Sequence, residues 1–195
     1  MIAAILGFLT LAQSIAGGAT VQALNAELLS HDSATLTLGR WCAARHLADP
    51  PTIAAVRVRG ANKGADRQAR ALLGVSPGQA VRYRHVRLTC GAHVLSDADN
   101  WYLPARLTAD MNRRLDSTDT PFGIVVAPLG VHRRTLAARV LFDPSRPGPA
   151  QPFVLRHVAV LSSANGVPIS VVIERYTREV LDGPAGPPAV TPPDR

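Results

Sequence analysis

Apolar and polar positions divide the chain into an early helical part and a later strand-rich part. Val21 to Leu29 carries helical spacing, with Leu24, Leu28 and Leu29 on one side. Asp32 or Ser33 is suited to cap a second helix through Leu36, Leu38, Trp41 and Cys42, which Pro50-Pro51 ends. Ile53 to Val58 is a short strand, Gly60 to Gly64 a turn, and Asp66 to Leu73 a short helix closed by Gly74. From there period-two alternation dominates. Ala80 to Cys90 and Val94 to Leu103 form neighbouring strands joined through Gly91. Pro104 opens a helix, Ala105 to Leu115, whose Leu107, Met111 and Leu115 share a face. After a Thr120-Pro121-Phe122-Gly123 loop, His132 to Phe142 is another strand, followed by a Pro/Gly-rich loop from Asp143 to Pro152. Phe153 to Leu161 then turns at Ala164-Asn165-Gly166 and returns as Ile169 to Val180. Hairpin-joined strands with helices grouped early and once in the middle predict an α+β domain, a single antiparallel β-sheet flanked by helices.

The sheet faces carry an irregularity. In Ala80 to Cys90, Arg82 and Arg84 fall on the face of Val86, Leu88 and Cys90. By the same alternation Arg134 shares a face with Leu136, Ala138, Val140 and Phe142, and Arg156 with Val154, Val158 and Val160. Glu174 lies between Val172 and Tyr176. A buried unpaired guanidinium is costly, so each such arginine needs a carboxylate in the protein or in a ligand, unless it snorkels out at a strand end. Arg82 and Arg134, near strand starts, suit the last account. Arg84 lies deeper, and is either a ligand contact or a structural partner of Glu174.

Composition narrows the field. The chain has 195 residues, 47% of them hydrophobic, enough for one core of ordinary size. Its net charge of +7 comes from arginine spread along the chain, with Lys63 the one lysine, and aromatics are only 5%. No block or base-stacking pattern accompanies the charge, so nucleic acid is not an expected partner. Cys42 and Cys90 make no metal or redox spacing and read as small buried hydrophobes, with a single bridge as the alternative. The six histidines lack ligand spacing, so no metal is expected. His31-Asp32-Ser33 contains the residue types of a triad, but helix capping explains Asp32 and Ser33 better.

The expected organisation is an apolar segment over 1–19, a domain over 20–182 and a Pro-rich disordered tail over 183–195. Met1 to Ile15 is apolar and uncharged and precedes Ala16-Gly17-Gly18-Ala19. It resembles a signal-peptide core with a small-residue cleavage site, without the positive start, and is short for a membrane span. Export to the periplasm is favoured over a cytoplasmic location. A buried N-terminal helix is the alternative, and membrane contact is expected only if the segment is an uncleaved anchor.

The order of several features resembles the chorismate lyase family, pyruvate-eliminating enzymes that make 4-hydroxybenzoate. The features are Leu28-Leu29…Asp32-Ser33, the strand Tyr83-Arg84-His85-Val86-Arg87-Leu88 ending at Cys90, the Thr120-Pro121-Phe122-Gly123 loop, and Val171-Val172-Ile173-Glu174. The resemblance implies that Arg84 binds a ligand carboxylate and that catalytic Glu174 contacts the hydroxyl end or acts as a base. It places Phe122 and Gly123 in the pocket wall. Arg156 is a candidate for a second carboxylate, and Ala34 stands where the family commonly has a contacting methionine. The implied reaction is a cofactor-free elimination of pyruvate from chorismate or a related enolpyruvyl acid. Ala34 and the bulky Phe122 depart from the family and would reshape the pocket. The alternative is a non-catalytic, exported binding domain for small aromatic carboxylates. The same fold is related to effector-binding domains of bacterial transcription regulators, but the stretch before the strands leaves no room for an added helix-turn-helix.

Overall fold

The computed structural model describes residues 17–18, 20–145 and 151–184. The expectations for the apolar segment before residue 20 and for the tail beyond residue 184 fall almost wholly outside the described residues. Helix α1 spans 20–30 and α2 Ala34–Ala44, followed by β1 (Ile53–Arg57) and α3 (Arg67–Leu73). Then come β2 (Arg82–Cys90), β3 (His93–Tyr102), α4 (Ala109–Ser117) and α5 (Phe122–Val126). Strands β4 (His132–Val140), β5 (Phe153–Ser162) and β6 (Pro168–Thr177) follow, with a 3-10 turn at Arg178–Leu181 after β6. All pairings are antiparallel, in the order β1-β2-β3-β6-β5-β4, giving the single helix-flanked sheet of an α+β fold.

Local chemistry sets the boundaries. Ser33 Oγ accepts the N–H of Leu36, and Asp66 caps α3, which Gly74 closes in the left-handed conformation. The helix expected from Ala105 is instead a 3-10 turn, Pro104–Arg106, and then α4, because Thr108 Oγ1 accepts the N–H of Met111 and starts a fresh helix. The Thr-Pro-Phe-Gly stretch, expected as a loop, opens the short helix α5 at Phe122.

One face of the sheet supports the main core. There Val86, Leu88, Leu155 and Tyr176 pack with Leu24, Leu28, Leu38 and Trp41, and Ala159 and Leu161 pack with Met111, Leu115, Phe122 and Val125. A smaller cluster on the other face joins Leu73, Leu103, Val160 and Val171. Cys42 and Cys90 form a disulfide, with Cα atoms 6.4 Å apart, so the bridge holds rather than two separate thiols. It fastens α2 to the end of β2. At the following turn Gly91 has φ 56°, and a Cβ there would lie 2.7 Å from Ala48 Cβ.

Two register shifts correct the simple alternation. A shift between Thr135 and Ala137 in β4 leaves Arg133 opposite Leu161 on the helix-covered face and Arg134 opposite Val160 on the other. A second, between Phe153 and Leu155, sends Val154 into the main core and away from the face of Arg156.

Candidate functional site

Between the sheet and the corner made by α2 and α5 lies a cavity of about 480 Å³. Its floor is Val86, Leu88, Ala98, Asn100 and Val172, and its roof includes Ala34, Leu36 and Phe122. Small residues above and below, Ala34 and Ala98, leave the space open. Asp32, Ser33, Thr35 and His132 add polar groups, and Arg133 and Glu174 project from the sheet.

The neighbouring residues Asp32 and Ser33 divide the work of the corner. Ser33 caps α2, while Asp32 Oδ1 accepts the backbone N–H of Arg133 at 2.7 Å and Oδ2 lies 3.3 Å from His132 Nδ1. The corner therefore holds the start of β4 as well as the start of α2. Gly123 lets α5 approach it closely: a Cβ there would sit 3.1 Å from Thr35 Oγ1 and 3.4 Å from Ser33 Oγ.

Arg133 Nη2 donates to Glu174 Oε2 at 2.6 Å, and the two side chains are 2% and 9% exposed. Tyr176 donates its hydroxyl to the same oxygen at 3.0 Å. Burial works against the charge of Arg133, but Glu174 outweighs it and raises the guanidinium's pKa. Burial, and then the adjacent Glu174 charge, push the Tyr176 hydroxyl well above its ordinary value, so it stays a donor. Beside this group His157 sits edge-on to Tyr176 and lies 2.8 Å from Asn25 Oδ1 through Nε2. Burial and the charge of Arg133 push His157 down to about 4, which keeps it neutral near pH 7.

Glu174, Phe122, Gly123 and Ala34 thus line one cavity. Arg84 does not. It is buried on the same sheet face, and its cross-strand neighbour Asn100 lines the cavity, but Arg84 lines a separate pocket and forms no ion pair with Glu174. Arg156 lies on the opposite face, between Arg139 and Arg175 in the register, and so is removed from the cavity. Sequence alternation missed Arg133, because no Gly or Pro marks the shift in β4. The opposite face of the sheet carries its own polar network. There Asp99, 1% exposed, accepts from Tyr83, Lys63 and Arg175.

Among the described residues one group has metal-type ligand atoms within 4.8 Å of one another: His93, Glu179 and Asp182. It is a surface ion-pair cluster, His93 Nδ1 lying 3.1 Å from Asp182 Oδ2, and lies outside the cavity.

No family model matches the chain. Over 183 residues it is 49% identical to the uncharacterized protein y4mC of Sinorhizobium fredii (strain NBRC 101917 / NGR234), which covers 86% of this chain and 77% of that one. Among solved structures, a GntR-family transcriptional regulator from Bacillus cereus is 15% identical, with a TM-score of 0.45, covering 69% of this chain and 97% of that chain. The effector domain of PhnF from Mycobacterium smegmatis is 14% identical, with a TM-score of 0.46, covering 68% and 86%. The structural likeness is partial, at low identity.

Proposed function

We propose a role for this chain, which belongs to the family of the y4mC protein: it binds a small aromatic or cyclohexadienyl carboxylic acid in the cavity under the α2–α5 corner. The observation that carries this reading is a buried Arg133–Glu174 pair set into an otherwise largely apolar chamber of about 480 Å³. Small-molecule sites take this form, with volumes of about 300–1,000 Å³, apolar walls and a few fixed polar groups. A flat ring fits between Val172 and Ala98 below and Ala34 and Phe122 above. The Arg133–Glu174 pair meets one polar end of the ligand, Arg133 donating to an oxygen there and Glu174, which Tyr176 holds in place, accepting from a hydroxyl.

Cofactor-free elimination of pyruvate from chorismate is the sharper reading that the resemblance implies. That reaction asks the protein to offset two carboxylates in a dry site. Arg133 is already paired with Glu174, and Arg84 lines a different pocket, so binding fits the geometry better than catalysis. The buried Cys42–Cys90 bridge supports export, since disulfides persist in oxidising compartments.

The test is calorimetric titration of the full chain with 4-hydroxybenzoate, benzoate and chorismate, with pyruvate assayed in parallel. Saturable binding of a ring acid that is lost in Glu174→Gln, without pyruvate, supports the binding role. Pyruvate release puts the lyase in its place, and no binding to any of the three overturns the carboxylic-acid assignment.

A further inference from the structure

The register of β1 with β2 runs out at Arg57 and Val86, and after a last bond from the Val58 N–H to the His85 carbonyl the first three residues of β2, Arg82 to Arg84, extend past their edge partner. Beside that stretch opens a second pocket, of about 590 Å³, which shares no lining residue with the cavity. Four arginines line it, Arg57, Arg59, Arg82 and Arg84, against the single carboxylate of Asp116. The available partners are spoken for. Asp116 pairs with Arg82 at 2.9 Å, Arg57 donates to the Leu115 carbonyl near the end of α4, and His85 pairs with Asp97.

Arg84 is left over. It is 6% exposed, and its Nε and Nη2 make no hydrogen bond within the protein. These adjacent nitrogens form one edge of the guanidinium fork, the edge that meets two oxygens of a single oxyanion. Burial and the nearby charge of Arg57 both weigh against its cation, yet arginine does not discharge near neutral pH. The charges of Asp116 and Asp119 offset only part of this, and a buried guanidinium with two unsatisfied donors is costly, so an anion in the pocket would stabilise it.

We propose that this pocket is an anion site for a phosphate group, free or as a small monoester, with Arg84 as its deep anchor and Arg57, Arg59 and Arg82 around it. A phosphate dianion answers the excess of guanidinium over carboxylate better than a monocarboxylate does. The site is separate from the ring-acid cavity and does not depend on it.

The experiment is titration of the full chain with inorganic phosphate and with phenyl phosphate near neutral pH, at ionic strength held constant with chloride. One saturable site is expected, at about millimolar affinity or tighter, weakened about tenfold by Arg84→Gln and about threefold by Arg59→Gln. Arg139→Gln, an exposed charge on β4 outside both pockets, leaves the affinity unchanged. Tighter phenyl phosphate binding assigns the site to monoesters, and equal affinities assign it to free phosphate. Should Arg84→Gln fail to fold, the loss in Arg59→Gln against Arg139→Gln decides. Lack of saturation below about 10 mM, or equal losses in the pocket and control variants, overturns the proposal.

Discussion

Arg133 and Glu174 face each other from β4 and β6, strands separated by β5, with Nη2 and Oε2 2.6 Å apart. The pair is sequestered from solvent, so removing one member strands the other charge inside the protein. Arg133→Met is expected to cost about 3–5 kcal/mol of unfolding free energy. The double variant Arg133→Met/Glu174→Leu recovers a large part of that loss, since no charge is left unpaired. Denaturant unfolding of the three proteins reads this directly. Additive losses in the double variant would show that the two residues act independently.

Acid should weaken the fold through His157. Its folded pKa of about 4 lies below the ordinary imidazole value of 6.5. Between these two values the unfolded chain takes up a proton that the folded chain refuses. Stability is therefore fully present above about pH 6.5, falls as pH drops toward 4 and levels off below it, by at most about 3 kcal/mol. Asp99 adds a loss of the same sign at lower pH. Burial pushes its carboxyl up, but bonds from Tyr83, Lys63 and Arg175 outweigh that and hold it below its ordinary value. Melting temperatures across this range should drop in the native chain and drop less in His157→Gln. Parallel curves would exclude His157 as the source.

The Cys42–Cys90 bridge closes a loop of 48 residues in the unfolded chain. Chain-entropy reasoning gives about 4 kcal/mol for a loop of that size. Replacing both cysteines by alanine should lower the denaturation midpoint accordingly, and reductant should lower that of the native protein while leaving the variant unmoved. A reductant-insensitive native midpoint would contradict this.

Ala34 offers a way to fill the cavity from above. It is 7% exposed, lines the chamber and follows the capping Ser33. Ala34→Met places three further heavy atoms there and should weaken ring-acid binding by about tenfold or more, with little stability lost because the space exists already. Binding as tight as in the native chain would move the ligand out of the cavity.

Much of this architecture could be read from residue order. The alternation in β2 sorted Arg84 with Val86, Leu88 and Cys90 onto the buried face, and β6 sorted Glu174 with Val172 and Tyr176. What escaped was set by events with no local signature. The register shift beside Leu136 exchanges Arg133 for Arg134, and nothing in Thr135-Leu136-Ala137 marks it. The restart of α4 depends on one hydroxyl, Thr108, inside a stretch whose apolar spacing runs on unbroken. The cysteine pairing depends on α2 crossing the end of β2, a tertiary fact that spacing along the chain cannot carry. The separation of Arg84 from Glu174 has the same origin: two residues on one sheet face can still lie in different hollows.

The bond from Asp32 to the Arg133 N–H has a mechanical consequence. Among the described residues, strand β4 is the border of the sheet, with a neighbour on one side alone, and it carries the sole arginine of the cavity wall. The chamber is in effect hinged on its least supported beam, pinned there by a single carboxylate from the α1–α2 corner. A sideways slip of that beam would carry the cation out of register with Glu174, so the polarity of the chamber is tied to the position of an edge.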